Sequence, residues 1–325
     1  MSTALNLDAA SYAPHVLHTG ERDWAETNCY VDVWIELLHA LGHEPLAGLG
    51  FTLGIDLEAD QWTFFKFPHD ELRNLYGIAV IECNPWVSVL EQSVNELANG
   101  HPVLIEVDAW FLPDTHGTTY RSSHVKTTIA AIDIDAFGRR LGYFHNQTLH
   151  VLDGEDFSGL FRIGVEHHHL PPFIEVAKPS AQPALEGRPL RGAALELLAS
   201  HVHRVPSNPF VRFAGRFDAE VDMLRTSNDH YFHGYSFAAF RQFGAAFSLA
   251  ASHLDWLAED CFEVPRAPLL ASGAACRTIS ATAKALQFRT ARAAIANKPL
   301  DATPQLSALI DAWDDALGTL RELFA

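Results

Sequence analysis

The apolar periodicity of this chain changes once, across the stretch from Lys178 to Pro189 with its three prolines, and that change limits the folds open to it. Upstream, short β-branched and aromatic runs alternate with a few helical patterns. Downstream, five Ala-rich segments have helical period: Leu190 to His203, Pro209 to Arg225, Ser236 to Glu259, Pro268 to Ala296 and Thr303 to Phe324. A length of 325 residues fits two domains at ~100–200 residues each. The expected architecture is α+β over residues 1–178, a proline-rich linker, and an all-α helical bundle over residues 190–325.

Composition narrows the function classes. Hydrophobic residues make up 48% and charged ones 19%, enough to bury a core. The net charge is −17 with no basic run, which argues against nucleic acid and anionic membrane as partners. Cys29, Cys83, Cys261 and Cys276 form no Cys-x-x-Cys pair and read as reduced thiols. The N-terminus has no signal-like core and no apolar stretch approaches the ~20 residues of a membrane span. A cytoplasmic location is expected.

Cys29 is the residue with the most chemical content. Thr27 and Asn28 are good helix N-caps before the apolar run Val33, Ile35, Leu37, Leu38 and Leu41, so a helix over 27–42 starts at the thiol, with Gly42 as its C′ residue. The positive end of a helix dipole favours a thiolate, whereas a purely structural cysteine has no reason to sit there. His124 opens a β-branched run and Asn146 ends the next apolar run. Cys, His, Asn is the chain order of a papain-type catalytic unit, in which the Asn orients the His. Gln147 and Asp133 are weaker candidates for that third role. Asp108 ends a strand, and with Trp110 and Tyr120 it is read as lining a cleft; the bland alternative is a surface carboxylate.

The rest of the first half reads as strands or extended loop over 46–67, a helix over 69–75, a strand over 78–83 and a helix over 85–99 with Asn84 as N-cap. Strands follow over 102–108, 124–134 and 141–144, the last two a hairpin around Asp135 to Gly138, then 149–152, a helical turn over 155–161 and a strand over 173–176. His167, His168 and His169 are adjacent, so their side chains diverge and metal binding is not expected. His230 and His233 share a helix face but lack a third ligand. Phe237, Phe240, Phe243 and Phe247 read as core.

Asn28-Cys29 at a helix start, Leu49 to Gly54, Pro102 to Pro113 and Ser123-His124-Val125 together resemble the papain-like thiol acyltransferases of the butirosin-biosynthesis protein H type, over residues 24–165. The whole chain is also similar to a bacterial family that joins this domain to a helical C-terminal half. The resemblance implies a papain-like fold, with its helix packed on an antiparallel sheet. It also implies Cys29 as nucleophile, His124 as base, and transfer of an acyl or aminoacyl group from a carrier-protein thioester to a small-molecule amine. The phosphopantetheine arm of the carrier would be the donor, and no other cofactor is expected. Asn146 stands where the type often has Asp. No Gln precedes Cys29, where papain-like peptidases place one, so an oxyanion would rely on the Cys29 N–H and the Asn28 amide. Arg121, Lys126, Arg139 and Arg140 are the clustered cations open to an acidic carrier. The alternatives are a cysteine amidase or peptidase on a small amide, and a non-catalytic binding module on the same fold.

Overall fold

The computed structural model describes residues 1–19, 22–24, 27–164, 172–205, 207–226, 229–260 and 263–325. In chain order its elements are β1 (Ser2–Thr3), α1 (Cys29–Ala40), β2 (Leu57–Glu58), β3 (Gln61–Trp62), α2 (His69–Tyr76), β4 (Ile78–Cys83), α3 (Val89–Ala98), β5 (Val103–Asp108), β6 (Lys126–Asp135), β7 (Arg140–His145), β8 (Thr148–Asp153), α4 (Gly154–Leu160) and β9 (Ile174–Pro179). The helices α5 (Gly187–Arg204), α6 (Pro209–Thr226), α7 (Asp229–Ser236), α8 (Gln242–Glu259), α9 (Arg266–Ala296) and α10 (Thr303–Leu323) follow. The chain is α+β, with an antiparallel sheet in its first half and helices in its second.

Two compact units divide these elements, and the chain passes between them repeatedly. One comprises residues 1–20, 28–45 and 69–184; the other comprises 21–27, 46–68 and 185–325. The segment 46–68 thus groups with the helical unit by its contacts. It is largely a run of tight turns from Pro45 to Gly54 and a small hairpin of β2 and β3, rather than sheet. The reason is aromatic packing: the Trp62 ring lies 5.1, 5.7 and 4.8 Å from those of Phe210, Phe213 and Phe243.

In the first unit, strand order is β4-β9-β5-β6-β7-β8, with β1 also on β6 and every pairing antiparallel. Alternation assigns the faces. Val103, Ile105 and Val107 of β5 join Leu97 of α3 and Phe157 of α4 in one core. Leu104, Glu106 and Asp108 therefore point to the other face. Glu175, paired with Leu104, points there too and accepts a hydrogen bond from Tyr30 of α1 at 2.8 Å. Hence α1 covers the face that carries Asp108.

Three local expectations change. The helix expected from Pro85 starts at Val89, where Ser88 Oγ accepts from the Glu91 N–H at 3.2 Å, so Trp86 and Val87 stay outside it. The strand expected from His124 begins at Lys126. Phe240, Phe243 and Phe247 are buried as expected but Phe237 is half exposed, because Phe237–Arg241 is a π-helical turn whose wider step breaks the phase of the stripe.

A buried charge cluster ties the N-terminal segment to α1. His18 Nδ1 lies 2.5 Å from Glu36 Oε1 and its Nε2 3.4 Å from Asp32 Oδ1, while Tyr12 donates to Glu36 at 2.5 Å. Burial alone would lower the His18 pKa; the hydrogen bonds and charges of Asp32 and Glu36 outweigh it and raise it to about 9. A raised folded pKa adds stability that is complete below the unfolded value near 6.5 and is lost as pH climbs through about 9. Urea melts should show the protein losing up to ~3 kcal/mol between pH 6.5 and 9.5 from this site. In His18→Gln that loss disappears and stability at pH 6.5 is lower.

Candidate functional site

Cys29 is the first residue of α1 and is partly exposed. Asn28 makes this start, as its side-chain oxygen accepts from the Val31 N–H at 2.9 Å. Asn28 is buried, so its visible role is to cap the helix rather than to face a ligand. The Cys29 N–H, in the first turn, has no partner within the helix. The other thiols contrast with it. Burial pushes Cys276 up to about 12 and raises Cys83, while Cys261 lies outside the described residues.

The second candidate group is assembled at the end of β5. His124 Nδ1 lies 2.6 Å from Asp108 Oδ2, and Asp108 Oδ1 accepts from the Trp110 N–H at 3.0 Å. The Trp110 ring stacks on the imidazole at 4.5 Å, 9° from parallel. With Nδ1–H donated to the carboxylate, Nε2 is the nitrogen left for proton transfer. The His124 side chain is 69% exposed, so its pairing with Asp108 serves orientation more than stability.

The expected third residue lies on another element from the carboxylate that His124 meets. Asn146 sits in the two-residue turn between β7 and β8 with φ 48°, a left-handed conformation that Asn tolerates well. The side chain hydrogen-bonded to His124 is Asp108. No hydrogen bond joins Cys29 to His124 among the described residues; what they share is the sheet face, through α1 and Asp108.

Residues 109–125, which carry Trp110 and His124, are held at two points. Asp114 accepts from Tyr143 Oη and from His145 Nδ1, both at 2.5 Å, and His145 Nε2 meets Thr127 Oγ1 at 2.8 Å. Farther along, Tyr120 Oη donates to Asp156 at 2.9 Å and Arg121 pairs with the same carboxylate. Tyr120 therefore anchors the loop to α4 and is absent from the cavity wall described next. Asp133, the weaker alternative, pairs with Arg140 at 3.0 Å.

Beside the His124–Asp108 pair lies a cavity of about 820 Å³. Val87, Val89, Ile105, Val107, Phe111, Leu160 and Phe161 give it apolar walls, and Ser88, Glu106, Lys126 and Arg162 supply polar groups. Sequence reading missed Trp86, which borders the cavity yet is 91% exposed. The available signal was its position just before a helix, after Asn84-Pro85. Of the basic candidates, Lys126 pairs with Glu106 at 2.6 Å, Arg140 with Asp133 and Arg121 with Asp156. Arg139 and Arg140 also sit at the far end of β6 from His124, so the four do not form one open basic patch.

The described residues contain no group of three or more His, Cys, Asp or Glu able to hold a metal. His167, His168 and His169 and the His230 side chain lie outside the described residues; His233 is exposed. No helix is long and apolar enough to cross a membrane among the described residues.

Two family models match the chain: the DUF1839 N-terminal domain over residues 13–179 and the DUF1839 C-terminal domain over residues 187–322. No curated protein matches it.

Asp114 is the testable anchor of the site. Burial would raise its carboxyl; the hydrogen bond and charge of His145, then His150 and Tyr143, hold it below the ordinary carboxylate range. Asp114→Asn should cost about 1–3 kcal/mol at pH 7 in denaturant melts. A depressed pKa adds stability above the unfolded value and loses it as pH falls through the folded one, so the deficit persists to about pH 4 and shrinks below it. Limited proteolysis should cut the variant faster within residues 109–125.

Proposed function

The chain belongs to the DUF1839 family, and we propose that its first unit is a papain-like thiol acyltransferase domain working through Cys29. The observation that carries this reading is the placement of two groups on one sheet face: a thiol opening the helix that covers it, and a His–Asp pair at its end, bordered by an apolar-walled cavity.

The chemistry follows from the atoms present. His124 Nε2 takes the Cys29 proton and Sγ attacks the carbonyl carbon of an acyl or aminoacyl thioester. The tetrahedral oxyanion is met by the Cys29 N–H, where the helix N-terminus favours negative charge. Collapse expels the carrier thiolate, which takes the proton back from His124, and leaves the acyl group on sulfur. An amine then attacks the acyl-enzyme, gives its proton to His124, and Sγ leaves with that proton restored. Asp108 steadies the imidazolium in both halves. The donor is an acyl or aminoacyl group on the phosphopantetheine arm of a carrier protein, the acceptor a small-molecule amine.

One observation favours a second reading, cysteine amidase action on a small uncharged amide. Lys126 at the cavity and Arg121 on the loop are already paired with carboxylates, which reduces the positive surface offered to an acidic carrier.

Mass spectrometry after incubation with a carrier-bound aminoacyl thioester should show the acyl mass on Cys29 and none in Cys29→Ala. Adding an amine should transfer it. Release only to water selects the amidase reading, and absence of any adduct or turnover ends both. His124→Ala should slow acylation about 10²–10⁴-fold. Asp108→Asn should slow it as well, whereas Asn146→Gly, which suits the turn, should leave the rate unchanged.

A further inference from the structure

β9 pairs with β5 only from Val103 to Ile105, so β5 runs on past it to Asp108 with no second strand on that edge among the described residues. The cavity of about 820 Å³ lies beside this overhang, and the successive residues Ile105 to Asp108, which belong to opposite sheet faces, all line it. Apolar side chains close it: Val87 from the link after β4, Phe111 from the β5–β6 crossing, and Leu160 and Phe161 at the end of α4. Phe111 is a fixed wall, because Gly159 lies so close that a Cβ there would overlap the ring. Four of the charged lining groups pair with one another: Lys126 lies 2.6 Å from Glu106, and His124 2.6 Å from Asp108. Such walls favour carbon and penalise hydroxyl and amide groups, which would give up water for no partner.

The lining also separates the reactants. Among the described residues it includes His124 and Asp108 but not Cys29. In the thiol chemistry the acyl group hangs on the sulfur, whereas the acceptor is the amine whose proton His124 removes. An occupant of the cavity therefore meets the base rather than the sulfur. The departing carrier arm also meets His124, but its amides call for polar partners that valine, leucine and phenylalanine walls lack. We propose that this cavity seats the body of the acceptor, a primary amine on an apolar aryl-alkyl group, with its nitrogen toward His124. The volume suits a ring with its chain, and the walls disfavour an amino sugar. The role as acceptor rests on the thiol chemistry proposed for the first unit; the binding does not.

Calorimetric titration of Cys29→Ala with phenethylamine, ethylamine and glucosamine reads the binding alone. Saturable binding of phenethylamine is expected, at least about tenfold tighter than of the other two. Val87→Trp, which fills the cavity, should weaken it by at least about tenfold. Trp86→Ala, an exposed change at the rim, should weaken it about threefold and gives the same reading should Val87→Trp unfold. In the parent protein, phenethylamine should discharge acyl-Cys29 faster than the other two amines at equal concentration. Equal affinity for the three amines, or affinity unchanged in the folded variants, overturns the site even where acyl-Cys29 forms. Selective binding without any acyl-Cys29 overturns the acceptor role together with the thiol chemistry, while acyl-Cys29 that phenethylamine does not discharge overturns the acceptor role alone.

Discussion

The crossing from β5 to β6 has no helix longer than a single turn, yet it must hold Trp110 and His124 where they meet Asp108. Irregular backbone does this only when side chains pin it. Asp114 is the main pin, because both of its oxygens are engaged by strand β7, through Tyr143 and His145. Tyr120 and Arg121 add a second attachment on α4. The geometry of the candidate base therefore depends on a carboxylate in the core that touches neither the base nor the cavity.

The unit contains two His–carboxylate pairs with opposite fates. His145 and Asp114 are buried, and Thr127 completes a hydroxyl–imidazole–carboxylate row that resembles a catalytic triad in connectivity. None of its three residues lines the cavity beside His124, and the row holds the loop to β6 and β7. His124 and Asp108 form the exposed pair, with one ring nitrogen left to solvent and cavity. Access, rather than the presence of the pair, separates structure from reactivity here.

Local chemistry was legible in the sequence. Asn28 marks the start of α1 because a short polar oxygen caps a first turn wherever one forms, and the strand patterns of β4 and β5 declare themselves by β-branching. Long-range choices were not. Nothing local says that β9 inserts between β4 and β5, since that depends on partners far upstream in the chain. Nothing local separates a phenylalanine-rich segment such as 46–68 from a strand of the sheet, because its burial comes from rings in α6 and α8. The meeting of Asp108 with His124 was hidden for a related reason: which strand-end polar residue meets that ring is set by loop path rather than by chain order. The widened turn at Phe237–Arg241 likewise leaves no mark in the apolar spacing.

The insertion of β9 between β4 and β5 has a consequence for biogenesis. As the nascent chain leaves the ribosome, β4 and β5 emerge with the slot between them vacant, and both present unpaired edges until residues 174–179 arrive. The segment 46–68 waits longer still, because the aromatic rings it packs on are synthesised only after residue 209. Vectorial synthesis thus leaves early parts of both units incomplete at once, and a nascent chain arrested before β9 would expose a ready template for mispairing.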